Sequence, residues 1–135
     1  MHIKILVVED SSIMRGYVSS SLRVFFPDIE SVEVNSGFEA LKTLPHHKFD
    51  VIITDINMPD INGLELISFI KKHPQYKDIP IIIISTEKST EDKKRGLALG
   101  VSEYIFKPFT PEQLSAVIKR VLENKEQALK TLEPL

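Results

Sequence analysis

Short runs of isoleucine and valine alternate along this chain with longer segments whose apolar residues recur every three or four positions. The short runs fit strands buried on both faces, and each longer segment would present one apolar stripe. Their alternation predicts successive βα units around a parallel sheet. Five strands are expected, at Ile3 to Val8, Ser31 to Val34, Val51 to Thr54, Ile81 to Ser85 and Glu103 to Phe106, with a helix after each. In the second strand Ser31, Glu33 and Asn35 alternate with Val32 and Val34, the pattern of a strand with one wet face at a sheet edge.

Local signals place the helix ends. Ser36 with Glu39, Asn62 with Glu65, and Thr110 with Gln113 have the spacing of a capping box or a near analogue, in which side chains satisfy free amides at a helix start. Pro111 falls at a first helical position, where its missing amide costs least. Phe26-Pro27, Leu44-Pro45 and His73-Pro74 predict three helix ends, because a residue before proline avoids helical dihedrals. Gly100 is expected to cap the fourth helix. That helix, Thr90 to Leu99, is weakly amphipathic and carries an interior Gly96, so it is expected to be loosely held. In the fifth, Leu114, Val117, Ile118, Val121 and Leu122 form one stripe against the sheet.

The length of 135 residues suits one domain, without a repeat or a low-complexity linker. Residues 1–123 are expected to form it, and 124–135 a helical extension or tail that frays near Pro134. Composition removes several kinds of chemistry. With no cysteine there is no disulfide, thiolate zinc site or thiol nucleophile, and His2, His46, His47 and His73 lack ligand spacing. A net charge of −2 argues against an overall basic surface for nucleic acid, and no apolar run could cross a bilayer. With no signal segment visible at the start, a cytoplasmic location is the expectation.

Open parallel sheets bind ligands beyond the carboxyl ends of their strands. There this chain delivers Glu9 and Asp10 from strand one, Asp55 from strand three, Ser85 and Thr86 from strand four, and Lys107 from strand five. If strands one and three are neighbours, three carboxylates share a pocket and disfavour one another's ionisation. With one lysine they carry a formal charge of −2, which a single divalent ion would neutralise, and oxygen-only ligands select a hard ion such as Mg²⁺, with Mn²⁺ as a substitute. Such an ion leaves positions for phosphate oxygens, so Asp55 becomes a candidate phosphoryl acceptor.

Taken together, VVED at Glu9 and Asp10, DINMPDING around Asp55, IISTE around Ser85 and YIFKPFTP around Lys107 resemble the receiver domain of two-component response regulators. The resemblance runs from about Ile3 to Leu122. It implies an α/β fold, a doubly wound, flavodoxin-like (βα)₅ sheet in the order 2-1-3-4-5. It also implies that Asp55 accepts phosphate from a sensor histidine kinase. Mg²⁺ would be bound by the Asp10 and Asp55 carboxylates, by the Asn57 backbone carbonyl and, through water, by Glu9. Lys107 and the Ser85 hydroxyl would hold phosphoryl oxygens, with a cis peptide before Pro108. Ser85 and Tyr104 would form the switch, and Pro59 and Gly63 would shape the loop leaving Asp55.

Three positions depart from the commonest family pattern: Glu9 stands for a frequent Asp, Ser85 for a frequent Thr, and Thr86 where a small residue is usual. Thr86 adds bulk beside the route of an attacking water, which implies slower phosphoryl loss than Asn57 and Glu87 would otherwise set. Taken singly, each residue has a plainer reading: Asp10 or Ser11 as a helix cap, Tyr104 as packing, Ser85 as a strand end. Their coincidence at four strand ends is what points to one site.

A phosphohydrolase with an aspartyl nucleophile would share Asp55, the metal, the hydroxyl and the lysine. Such enzymes place an acid two residues on, whereas Asn57 cannot be a general acid at neutral pH. A phosphoacceptor that promotes only its own phosphotransfer and dephosphorylation is therefore favoured over an enzyme. EDSSIMR looks most like chemotaxis-type regulators, which implies flagellar motor control with a motor switch protein downstream. A phosphorelay intermediate, or the receiver of a longer regulator, is the alternative. The chain is expected to be a monomer or weak dimer.

Overall fold

The computed structural model describes residues 2–86 and 90–132. Its strands are β1 (Ile3–Val8), β2 (Ile29–Val34), β3 (Val51–Thr54), β4 (Ile81–Ser85) and β5 (Glu103–Phe106). The helices are α1 (Ser12–Phe25), α2 (Gly37–Thr43), α3 (Gly63–Lys72), α4 (Thr90–Ala98) and α5 (Pro111–Leu132). All pairings are parallel and the sheet order is β2-β1-β3-β4-β5, so β2 does lie at an edge. It begins at Ile29, two residues before the alternation is visible, because Ile29 is buried in the core and its amide is held by the Phe26 carbonyl at 3.0 Å.

Two apolar layers sandwich the sheet, as alternating strand residues require. Ile5, Val7, Ile53, Ile82 and Ile84 pack with Val18 and Leu22 of α1 and with Leu114 and Ile118 of α5. Leu6, Val8, Ile52, Ile81 and Ile83 face the opposite way, toward Ala40 of α2 and Leu66, Ile67 and Ile70 of α3. Burial of each such side chain stabilises the fold by roughly 1.5–3 kcal/mol. Helix α4 contributes little to this, with only Gly96 buried, as its composition suggests.

The helix starts follow their signals, with one change of partner. Thr110 and Gln113 make the full reciprocal box, at 3.1 Å and 2.8 Å, and the Ser36 hydroxyl accepts from the Glu39 amide at 3.1 Å. Asn62 caps α3, but its side chain accepts from the Leu64 amide rather than that of Glu65. At the ends, α1 stops at Phe25 and α3 at Lys72, each followed by a residue outside the helical region before its proline. Gly100 takes φ +97°, which a side chain would resist. Leu44-Pro45 behaves differently. Leu44 stays helical and the chain continues as one 3₁₀ turn, Leu44–His46, because the Leu44 side chain is fully packed in the core and a tighter turn keeps it there.

Gly63 lets the loop after β3 close on itself. Its amide donates to the Ile56 carbonyl at 2.7 Å, and a Cβ there would lie 2.1 Å from the Asp55 carbonyl oxygen and 2.8 Å from Ile56 Cα. Gly16, inside α1, has nothing within 4 Å of the equivalent position. Gly63→Ala is therefore expected to lose about 2 kcal/mol of unfolding free energy or more in urea, and Gly16→Ala to gain up to about 1 kcal/mol. Equal effects of the two substitutions would contradict this account of the loop.

Candidate functional site

Strand pairing brings the acidic residues together. Val8 of β1 lies opposite Thr54 of β3, so the next residues, Glu9 and Asp55, leave the sheet side by side. Backbone bonds hold both at this level: the Glu9 amide donates to the Val34 carbonyl at 3.1 Å and the Asp55 amide to the Val8 carbonyl at 3.0 Å. Ser11, not Asp10, caps α1 by accepting from the Met14 amide, which leaves the Asp10 carboxylate for the cluster. Glu9, Asp10 and Asp55 each offer a carboxylate oxygen, and these three lie within 4.8 Å of one another, with Asp10 exposed and the other two buried.

Lys107 reaches the cluster from the end of β5. Its ammonium donates to Glu9 Oε1 and, at 3.3 Å, to Asp55 Oδ2. The other Asp55 oxygen accepts from the Ile56 amide at 2.7 Å, and Glu9 Oε2 accepts from the Ser11 amide at 3.0 Å. Burial pushes the Glu9 carboxyl above its ordinary pKa, and the neighbouring Asp55 charge adds to that, while Lys107 and the Ser11 amide pull the other way. A hard cation beside the exposed Asp10 would favour the ionised form of Glu9. The donor set, oxygen only and partly open to solvent, fits Mg²⁺.

The other expected site residues lie around this centre or just outside it. Ser85 is fully buried at the end of β4, opposite Phe106, and its carbonyl accepts from the Lys107 amide at 2.9 Å. Thr86 follows it on the surface, and Asn57 is exposed in the loop after β3. Tyr104 is half-buried in β5, opposite Ile83, with its ring 5.0 Å from that of Phe106. The Lys107–Pro108 bond is cis. Glu87 lies outside the described residues.

Three supporting residues went unassigned in the sequence. Arg15 donates to the Glu9 carbonyl at 2.8 Å and the Asp10 carbonyl at 3.4 Å, which ties the acidic turn to the first turn of α1. Its place one turn into the helix after an acidic pair is the signal that could have found it. Asp60 accepts from the amides of Gly37 and Phe38, at 3.2 and 2.9 Å, and so ties the loop after Asp55 to the start of α2. These amides hold the Asp60 carboxyl below its ordinary pKa. The Tyr17 hydroxyl donates to the Phe109 carbonyl at 2.7 Å, bracing the turn that follows Lys107. Both contacts bridge distant segments and leave no trace in local spacing.

Comparison with known proteins agrees with this arrangement. A family profile described as the response regulator receiver domain matches residues 5–119. The chain is 40% identical over 121 residues to a chemotaxis protein CheY homolog of Campylobacter jejuni, covering 88% of this chain and 92% of that one. It is also 40% identical to chemotaxis protein CheY1 of Helicobacter pylori, across 88% and 96% of the two chains. Among solved structures, chemotaxis response regulator CheY4 of Vibrio cholerae superposes with a TM-score of 0.82 at 38% identity, covering 90% of this chain and all of the other. No described helix is long and apolar enough to cross a membrane.

Proposed function

The chain belongs to the response regulator receiver domain family and is a receiver of the chemotaxis type, and we propose that it takes a phosphoryl group on Asp55 from a sensor histidine kinase. The observation that carries this reading is Asp55, a residue only 7% exposed, whose carboxylate shares its pocket with two further acids and lies 3.3 Å from the Lys107 ammonium. A buried acid in such company has an electrostatic use for a cation and a phosphoryl group, and little structural one.

In the transfer, an Asp55 carboxylate oxygen forms a bond to phosphorus as the P–N bond of a phosphohistidine breaks. The imidazole leaves with that electron pair. Positioning and charge stabilisation dominate such a reaction. The Ile56 amide fixes the orientation of the Asp55 carboxylate, and Lys107 neutralises charge on the transferred group by exchanging a carboxylate partner for a phosphoryl oxygen. The Ser85 hydroxyl donates to a second phosphoryl oxygen. Asp10, Asp55 and the Asn57 carbonyl would hold Mg²⁺, with Glu9 assisting through water, and the bound ion would supply the remaining positive charge. The chain thus catalyses only its own phosphorylation and dephosphorylation.

The signal leaves through Ser85 and Tyr104. When Ser85 engages the phosphoryl group, Tyr104 turns inward against the thinly anchored α4, and the surface of α4, β5 and α5 changes partners. We favour the flagellar motor switch as the target, in the cytoplasm, because the chemotaxis relatives cover nearly the whole chain.

Incubation with a small phosphoryl donor and Mg²⁺ should add one phosphoryl mass, located at Asp55 by peptide mapping. Omission of Mg²⁺ or the Asp55→Ala substitution should abolish it, and equal labelling of the Ala variant would overturn the assignment. Because Thr86 is exposed directly beyond Ser85, Thr86→Ala should shorten the phosphoryl lifetime several-fold. An unchanged or longer lifetime would show that Thr86 does not obstruct water.

A further inference from the structure

Helix α5 is longer than its sheet needs. It runs 22 residues, Pro111–Leu132, but its contacts with the α1-side core end at Leu122. The ten residues beyond continue for about 15 Å past the last core contact. Past the sheet, Lys125 and Leu129 follow Leu122 at three- and four-residue steps on one face, so an exposed leucine stands in line with the last core contact. Leu129 is 57% exposed. Beside it lies a hollow of about 340 Å³ lined by Ile3, Asp50, Leu122, Lys125, Glu126 and Leu129. Open to solvent, a hollow of that size holds about ten waters, and an aliphatic side chain entering it would release several of them.

We infer that this overhang is an interface for a second copy of the same chain, with the two α5 ends packed antiparallel about a two-fold axis between Lys125 and Glu126. The spacing of these residues is what selects this occupant. In that register the exposed Leu129 of each copy lies over Leu122 of the other and enters the hollow beside it. Lys125 of each copy faces Glu126 of the other, which places two opposite-charge pairs at the centre. The Lys125 ammonium is already turned to this side, 3.4 Å from the Asp50 carbonyl and 3.5 Å from its carboxylate, with a proton left for a further acceptor. The pairing lies at the opposite end of the sheet from Asp55, so it leaves the acidic pocket and the α4-β5 surface open. Its small area makes it weak, in the range where concentration decides the state.

Sedimentation equilibrium of the full chain, from micromolar to millimolar concentration, tests the interface. The wild type should show a monomer–dimer equilibrium. Glu126→Lys and Lys125→Glu should each weaken it about tenfold, since each sets like charges together twice. The double exchange Lys125→Glu with Glu126→Lys should restore most of the affinity, and Leu129→Asp should leave monomer. Circular dichroism matching the wild type keeps each comparison interpretable. A chain that stays monomeric throughout, a dimer indifferent to the single substitutions, or a double variant as weak as the singles would each overturn the inference.

Discussion

Two buried carboxylates that end adjacent parallel strands are the constraint to which much of this molecule answers. Once Val8 pairs with Thr54, Glu9 and Asp55 must emerge together, and neither can turn fully into water. Their repulsion in a poorly polarisable setting needs positive charge at the same level. Lys107 supplies part of it from β5, two strands away from β3 in the sheet, and backbone amides of Ser11 and Ile56 supply more. The balance remains negative, and the same deficit that strains the pocket makes it receptive to a divalent ion and a phosphoryl group.

Much of this was legible in the sequence because its causes are local. Isoleucine runs read as buried strands, the Thr110–Gln113 box and Pro111 read as a helix start, and acids at strand ends read as a pocket once the strand order was supposed. The physical causes of the misses were long-range. Ile29 joins β2 because core burial extends a strand past its alternating pattern. Leu44 remains helical before proline because burial of its side chain outweighs a local dihedral preference. Asp60 and Tyr17 act on segments far off in sequence, and no periodicity announces such contacts. The resemblance placed Lys107 at the phosphoryl group, whereas the structure adds a hydrogen bond from its ammonium to the Glu9 carboxylate.

Stability is distributed to match. The central strands are buried on both faces, so the acids stand on a rigid floor. Helix α4 buries a glycine alone, and that glycine matters because any Cβ would meet Ile83 Cδ1 at 2.6 Å. Close approach without a large apolar contact gives a helix that fits its groove yet is cheap to displace. Tyr104 and Phe106 border it, with Lys93 5.8 Å from the Phe106 ring centre. A rigid acidic pocket beside a weakly anchored helix is the arrangement a charge-driven switch requires.

A site that concentrates uncompensated acid should cost the fold stability whenever no cation is present. The direct measurement is urea unfolding of the wild type and Asp55→Asn, with and without Mg²⁺. The account predicts that, without the ion, the Asn variant is more stable by about 1 kcal/mol or more, and that saturating Mg²⁺ stabilises the wild type far more than the variant. An Asn variant no more stable than the wild type without the ion, or an equal response of both to Mg²⁺, would contradict it.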